Sequence, residues 1–355
     1  MSGTLRILAD EALLGLRELF APLGALRTAP GRAIDRRLAE EADVLLVRSV
    51  TRVDRALLEG TPVRFVGSAT AGTDHVDVRW LAAAGIAFAH APGCNAQAVA
   101  NYVLCALART VGELWGRRVA VVGCGQVGGR VYRELVRLGA RVVCYDPFLA
   151  PASQPDLVDF AHALEAEILC LHTPLTRDGP HPTWRMFSAG VLARLRPGTL
   201  LLNAGRGEVV EEEALLDALR CGRLRAVLDV WPGEPAIGRE LLERVELGTP
   251  HIAGYSLEGR LRGSFAIRDA LCRHLQIAPP PAPSLAELAE RLAGPAPAAV
   301  PLEPAATLAD RLLARYDPAK DDAALRRGAR PGGDLAAHFD RLRRAYPLRR
   351  EFELG

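Results

Sequence analysis

The chain has 355 residues, of which 49% are hydrophobic and 24% are charged, and its net charge is +2. This composition indicates a globular protein of two or three domains and excludes a disordered chain or a protein that coats nucleic acid. No apolar run is long enough to span a bilayer and no signal-like segment opens the chain, so we expect a cytoplasmic protein without a membrane or nucleic-acid partner.

The first ninety residues alternate short apolar runs with helical stretches. This alternation predicts a parallel sheet covered by helices on both faces, with its ligand site beside the loops that follow the strands. Two such loops stand out, Arg48-Ser49-Val50-Thr51 and residues 67–75. The predicted strands are 5–8, 44–47, 64–66 and 86–89, and the predicted helices are 11–20, 53–59 and 76–84.

A long predicted helix, 96–109, leads to a strand-turn-helix-strand pattern over residues 118–146. Its glycines have the spacing of a turn that binds a pyrophosphate on the amides of a helix N-terminus. Asp146 ends the second strand, where a carboxylate binds the ribose hydroxyls of a dinucleotide and repels a 2′-phosphate. The pattern therefore predicts NAD, rather than NADP, as the cofactor. The residues of the turn predicted to contact it are Gly123, Gly125, Gln126, Val127 and Gly128.

The alternation of strands and helices resumes after Asp146. Apolar runs that end at Leu171, Leu202, Val230 and Ala253 predict a second parallel sheet. From residue 278 a proline-rich segment predicts an extended linker, and helical stretches follow at 285–292 and 308–316. We therefore predict three domains: residues 1–94 with 255–277, residues 95–254, and residues 278–355.

No metal site is predicted. The seven cysteines are scattered and none forms a Cys-x-x-Cys pair, which indicates buried, reduced thiols. Lys320 is the only lysine and lies in a polar segment, so neither a P-loop nor a Schiff-base mechanism is expected.

Three residues could perform redox chemistry beside a dinucleotide. Oxidation of an alcohol needs a base for the hydroxyl proton and a cation that holds the substrate and polarises the new carbonyl. Arg206 lies among small residues, and its guanidinium could bind a carboxylate through two parallel hydrogen bonds. His251 could be the base, oriented by Glu234. The alternatives are a surface ion pair for Arg206, a structural histidine, and a loop shaped by the prolines beside Glu234.

Five segments of the chain occur in a characteristic order. They are the glycine turn ending in Asp146, Leu171-His172-Thr173-Pro174-Leu175, Leu202-Asn203-Ala204-Gly205-Arg206-Gly207, Val227-Leu228-Asp229-Val230-Trp231 with Glu234, and Pro250-His251. In this order they resemble the NAD-dependent D-2-hydroxyacid dehydrogenases. Further segments narrow the resemblance to a subgroup that acts on a phosphorylated hydroxy acid, namely residues 47–51, 69–77, 91–96, 171–180 and 251–259.

The resemblance implies a fold and a role for each matching residue. The fold would be α/β, with two doubly wound parallel-sheet domains, one a Rossmann cofactor domain and one a flavodoxin-like substrate domain, and a small C-terminal dimerisation domain that makes a homodimer. The implied catalytic residues are Arg206, Glu234 and His251, the cofactor contacts are Asp146, Thr173, Asp229 and Gly254, and the substrate contacts are Ser49, Thr70 and Tyr255. We add Arg48 as a candidate for binding the substrate phosphate, with a structural ion pair as the alternative.

Two positions depart from the family pattern. Asn101 stands where the family usually has glutamate, and Gly205 replaces the commoner alanine or cysteine.

Two other functions remain open at this point. One is a different D-2-hydroxyacid dehydrogenase, such as a phosphoglycerate dehydrogenase, and the other is a non-catalytic module that senses NAD and binds a partner.

Overall fold

A computed structural model describes residues 4–150, 152, 154, 156–302, 307–330 and 332–355. The chain divides into two compact units. Unit 1 comprises residues 4–95, 256–296 and 348–351, and unit 2 comprises residues 96–255, the described part of 297–347, and 352–355. Residues 278–355, predicted as a separate domain, belong partly to each of these units.

Eleven strands and fifteen helices are found in the described residues. The strands are β1 (Arg6–Asp10), β2 (Ala25–Ala29), β3 (Val44–Val47), β4 (Phe65–Ser68), β5 (Ala87–Ala89), β6 (Arg118–Val122), β7 (Arg141–Tyr145), β8 (Ile168–Leu171), β9 (Leu200–Asn203), β10 (Arg225–Leu228) and β11 (Leu247–Gly248). The helices are α1 (Leu16–Phe20), α2 (Arg36–Ala39), α3 (Arg55–Leu58), α4 (Val78–Ala83), α5 (Ala96–Thr110), α6 (Gln126–Arg137), α7 (Phe160–Ala163), α8 (Ala189–Leu192), α9 (Glu212–Arg220), α10 (Arg239–Arg244), α11 (Leu257–Leu275), α12 (Leu285–Ala293), α13 (Leu308–Arg315), α14 (Ala319–Arg326) and α15 (Leu335–Arg344). None of these helices is long and apolar enough to cross a membrane.

Unit 1 contains a five-stranded parallel sheet in the order β2-β1-β3-β4-β5. Its central strand β3 is buried along its whole length, which explains its uninterrupted apolar sequence. The long helix α11 covers one face, where Leu257, Leu261 and Ile267 share a core with Ile7 and Leu46 of the sheet. Arg350 pairs with Glu258 of α11 at 2.6 Å, so residues 348–351 belong to this unit.

Unit 2 contains a six-stranded parallel sheet in the order β11-β10-β9-β8-β6-β7. The chain passes from β6 to β7 on one side and then to β8 on the other, so strand order reverses at β6. In doubly wound sheets, ligands bind at the carboxyl ends of the strands at this reversal. Two parallel-sheet α/β units with a helical C-terminal region confirm the predicted fold class.

The helix α5 is buried from Gln97 to Ala108 and anchors the end of the chain. The Asn101 side chain bonds both backbone groups of Phe352, donating to its carbonyl at 2.9 Å and accepting from its amide at 3.1 Å. Gln97 donates to the same carbonyl at 2.9 Å. The departure from the family pattern at Asn101 is thus explained, because a neutral amide can both donate and accept where a carboxylate can only accept.

Three local predictions were wrong. Residues 11–15 are not helical, and only Leu16–Phe20 forms α1. Residues 251–253 do not end a strand, because Asp229 binds the amides of Ile252 and Ala253 and leaves them unable to pair with a neighbouring strand. The sequence analysis also missed β2, an edge strand whose largely exposed side chains give it no apolar run.

Candidate active site

The glycine turn lies between β6 and α6, where the strand order of unit 2 reverses. Gly128 must be glycine, because a Cβ there would lie 1.8 Å from the carbonyl oxygen of Gly123. Gly125 precedes α6 and provides no side-chain cap. A Cβ at Gly125 would meet no described heavy atom within 4 Å. The first amides of α6, including those of Gln126 and Val127, therefore suit a pyrophosphate.

Asp146 directly follows β7 and is held beside this turn. Its Oδ2 accepts the amide of Cys124 at 3.0 Å, and its Oδ1 accepts the amide of Phe148 at 3.1 Å. Both bonds fix the carboxylate at the end of β7, next to the turn that would hold the phosphates. This is the position expected for an acid that binds the hydroxyls of a dinucleotide ribose.

Polar atoms without partners lie at the end of β8. The Thr173 hydroxyl and both ring nitrogens of His172 are buried and have no hydrogen-bond partner among the described residues. Burial lowers the pKa of His172 to about 4, so its ring is neutral near pH 7. A Cβ at Gly123 would lie 2.9 Å from the Thr173 amide, which places these atoms against the glycine turn. Buried polar groups are normally satisfied, so this edge of unit 2 suits a polar ligand such as NAD.

His251 and Glu234 form a hydrogen-bonded pair. The Nδ1 atom of His251 is 2.7 Å from Oε2 of Glu234, whose Oε1 accepts the Trp231 amide at 2.8 Å. Burial alone would raise the pKa of Glu234, but the His251 charge and hydrogen bond, together with Arg343 and the Trp231 amide, hold it below its ordinary value. Glu234 is therefore a carboxylate at neutral pH, and it orients the imidazole with Nδ1 as the donor.

A buried network holds the loop that carries His251. Asp229 is 1% exposed, and its oxygens accept the Thr249 hydroxyl at 2.7 Å and the amides of Ile252 and Ala253 at 2.8 and 2.9 Å. The Tyr102 hydroxyl of α5 lies 2.7 Å from Thr249 Oγ1. Burial raises the pKa of Asp229, partly offset by His251 and these donors.

The backbone of His251 has a left-handed conformation, with φ of 54°. This conformation is uncommon for a residue other than glycine. Hydrogen bonds on both sides stabilise it, since the His251 amide also donates to the Asp229 carbonyl at 2.7 Å. The network around Asp229 therefore determines where the imidazole points.

Arg206 lies in a compact loop after β9. Asn203 closes the loop by donating to the Arg206 carbonyl at 2.9 Å and accepting the Gly205 amide at 3.0 Å. A Cβ at Gly207 would lie 2.0 Å from the Trp231 carbonyl carbon, so glycine is needed for this loop to approach the segment that carries Glu234. Arg206, Glu234 and His251 thus all belong to unit 2, on loops that follow neighbouring parallel strands.

The remaining predicted site residues divide between the units. Gly254 and Tyr255 belong to unit 2 and directly follow the network around Asp229, whereas Arg48, Ser49 and Thr70 belong to unit 1. These three follow the adjacent strands β3 and β4 and so lie at one edge of the unit 1 sheet. Arg48 is engaged by buried Asp10, with Nε 2.9 Å from Oδ2 and Nη2 3.3 Å from Oδ1. The structural ion pair considered for Arg48 is therefore present.

Tyr102, Thr249 and Arg343 were not predicted from the sequence to belong to the site. Tyr102 and Thr249 complete the Asp229 network, and Arg343 of α15 lies over the ring of Tyr255. Thr249 precedes the Pro250-His251 motif and could have been suspected from its position. The residues next to Arg343 in the sequence do not distinguish it from Arg341 and Arg344 of the same helix.

Comparisons with known proteins agree with this geometry. Residues 95–253 match the family model for the NAD-binding domain of D-isomer specific 2-hydroxyacid dehydrogenases, and residues 299–354 match a domain of unknown function. Erythronate-4-phosphate dehydrogenase of Teredinibacter turnerae is 46% identical over 98% of this chain and 93% of its own length. That of Azotobacter vinelandii is 48% identical over the same shares. The chain belongs to the erythronate-4-phosphate dehydrogenase family.

Solved structures of this wider fold support the same architecture. TT0316 from Thermus thermophilus is 25% identical, with a TM-score of 0.66 over 79% of this chain and all of that one. The NAD+-bound 3-phosphoglycerate dehydrogenase of Entamoeba histolytica is 22% identical, with a TM-score of 0.67 over 77% of this chain and 96% of that one. The family match and the fit of the glycine turn confirm the prediction of NAD as the cofactor.

Proposed function

We propose that this enzyme oxidises the 2-hydroxyl of 4-phospho-D-erythronate to give 2-oxo-3-hydroxy-4-phosphobutanoate, a step of pyridoxal 5′-phosphate (vitamin B6) biosynthesis. The observation that carries the proposal is the His251–Glu234 pair at 2.7 Å, in the same unit as the NAD-binding turn. It occurs in a chain 46% identical to an erythronate-4-phosphate dehydrogenase over 98% of its length.

Each catalytic residue has one task in this reaction. Because Nδ1 of His251 is bound to Glu234, Nε2 is the nitrogen that takes the proton of the substrate hydroxyl. The Glu234 carboxylate stabilises the imidazolium that results. Arg206 binds the substrate carboxylate and polarises the developing carbonyl. Bound NAD supplies the acceptor for the hydride that leaves C2.

A comparison of two substrates tests the proposal. With NAD, kcat/KM for 4-phospho-D-erythronate should exceed that for 3-phosphoglycerate by at least about a hundredfold, since the site must match the length of the phosphorylated chain. His251→Gln should lower kcat by about a thousandfold while the Kd for NAD stays within a few-fold of that of the unmodified enzyme. Faster oxidation of 3-phosphoglycerate would assign the chain to another dehydrogenase of this fold. Tight NAD binding without turnover of either substrate would favour an NAD-sensing module.

Two further properties belong to the same proposal. We infer a homodimer, which the C-terminal residues would help to form, and a cytoplasmic location. The first rests on the C-terminal dimerisation domain that the family resemblance implies for residues 278–355.

A further inference from the structure

Arg343 lies on α15, within the domain of unknown function, and belongs to the same compact unit as the catalytic residues. Its Cζ atom is 5.9 Å from the ring centroid of Tyr255 and also 5.9 Å from that of Phe339. Both distances fall within the roughly 6 Å over which a cation and an aromatic ring attract one another. Tyr346 packs edge-on against Tyr255 with centroids 5.9 Å apart, so three aromatic rings fix the surroundings of this guanidinium.

Arg343 forms no ion pair with a residue that the structure describes. Its side chain is half-buried, and its Nε is buried and has no hydrogen-bond partner among those residues. Asp321, which bonds the neighbouring Tyr346, is occupied, since it accepts the hydroxyls of Tyr316 and Tyr346 at 2.7 and 2.9 Å. Buried donors are normally satisfied, so a guanidinium held by aromatic rings is suited to an anionic ligand.

Arg343 lies close to the segment that carries His251. Its Cζ is 5.9 Å from the ring of Tyr255, four residues after His251, and its charge also helps to keep the pKa of Glu234 low. A ligand anion at Arg343 would therefore sit near the reacting atoms.

The proposed substrate has two anionic groups, and the two arginines predicted from the sequence to bind it already have a role or a partner. Arg206 is the cation for the carboxylate, and Arg48 already bonds Asp10 through Nε and Nη2. Lys320 is the only lysine of the chain and lies on α14. A dianionic phosphate needs charge-assisted donors, and in unit 2 Arg343 meets this need.

We propose that Arg343 binds the 4-phosphate of the substrate and thereby selects phosphorylated over unphosphorylated 2-hydroxy acids. This inference rests on the proposed function. It gives the domain of unknown function a role in substrate recognition, because one of its helices provides a residue of the binding site.

Replacement of Arg343 by Gln tests the inference with a pair of substrates that differ only in the phosphate. For 4-phospho-D-erythronate, KM should rise by at least about tenfold with kcat changed much less, because the contact is to a group remote from the reacting carbon. The kcat/KM for D-erythronate should stay within about twofold, because that substrate makes no such contact. Inorganic phosphate, used as a competitive inhibitor, should bind about tenfold more weakly to the variant.

Two further variants complete the experiment. Arg344→Gln removes the neighbouring exposed charge of the same helix and should leave all of these constants unchanged. Arg343→Lys keeps the positive charge but loses the planar guanidinium that can donate two hydrogen bonds to one phosphate, so we expect a KM between those of the unmodified enzyme and Arg343→Gln. If Arg343→Gln fails to fold, Arg343→Lys provides the test in its place.

Three results would count against the inference. Equal losses with both substrates would assign Arg343 to the catalytic pair, and unchanged constants in Arg343→Gln and Arg343→Lys would remove it from the site. If Arg344→Gln raised KM as much as Arg343→Gln, the effect would come from the overall charge of the helix and not from a contact made by Arg343. Failure of the unmodified enzyme to oxidise 4-phospho-D-erythronate would overturn the proposed function instead, and inhibitor binding would still test Arg343.

Discussion

At the scale of single residues, the Glu234 carboxylate should contribute to the stability of the fold. Its folded-state pKa is below the ordinary value of about 4.3, so its ionised form stabilises the fold. This contribution is complete above the unfolded-state pKa and is lost as pH falls through the lower folded-state pKa. Glu234→Gln should therefore reduce the free energy of unfolding most near pH 6 to 7, and less as pH falls towards about 3. Urea unfolding at several pH values measures this difference; a constant difference would contradict the argument.

Asp146 should determine the choice of cofactor. Its carboxylate is held by the amides of Cys124 and Phe148, where it would repel a 2′-phosphate. Asp146→Asn removes the charge and keeps one acceptor oxygen, so the ratio of kcat/KM for NAD to that for NADP should fall by at least about tenfold. Steady-state kinetics with both cofactors measures the ratio, and an equal thermal midpoint controls for folding. Good use of NADP by the unmodified enzyme would refute the role.

The placement of Arg206, Glu234 and His251 on neighbouring loops could be predicted from the sequence, because loops after parallel strands meet at one edge of a sheet. The contact of Arg343 with Tyr255 could not, because the two residues are 88 positions apart and only the packing of α15 brings them together. For Arg48, the sequence predicted a contact with the substrate phosphate from its place in a loop after β3. The structure adds an ion pair with buried Asp10, which lies 38 residues away and which the sequence alone does not reveal.

At the scale of elements, the loop from Thr249 to Ala253 depends on one hydroxyl. Thr249→Val would remove the hydroxyl that links Tyr102 to Asp229 and so take one hydrogen bond from each, at a cost of about 1–3 kcal/mol in the free energy of unfolding. Because the same loop aims His251, kcat should fall by about tenfold to a hundredfold, with the Kd for NAD changed less. Thr249→Ser keeps the hydroxyl and should retain most of both quantities. Equal defects in the two variants would mean that the methyl group matters instead.

The strands were predicted best where the sheet is buried on both faces. Val44–Val47 and Ile168–Leu171 lie within continuous apolar runs, and their observed bounds equal the predicted ones. The segment around His251 is also apolar, but the amides of Ile252 and Ala253 bind the carboxylate of Asp229, which lies 23 and 24 residues earlier in the chain. Periodicity cannot show such a bond, so the predicted strand end was wrong.

At the scale of the whole molecule, the proposed homodimer is open to a direct measurement. Light scattering coupled to size-exclusion chromatography should give twice the 38.1 kDa of one chain. The mass should not change over a tenfold dilution, because an interface built by several helices should be stable at micromolar concentration. A mass of one chain at the same concentrations would contradict the proposal. If the mass is that of a dimer, the double substitution of the exposed residues Arg341→Gln and Arg344→Gln tests whether α15 belongs to the interface, since it should then lower the measured mass.

The way the chain is shared between the units also governs how it can fold. Unit 1 includes residues 348–351, and unit 2 includes residues 352–355, whose Phe352 is bound by Gln97 and Asn101 near the beginning of that unit. Each unit therefore contains a contact between residues distant in the sequence, 92 positions apart for Arg350 with Glu258 and 251 for Asn101 with Phe352. Because long loops must close before such contacts form, refolding should be slower than in a protein of equal length whose contacts are mostly local.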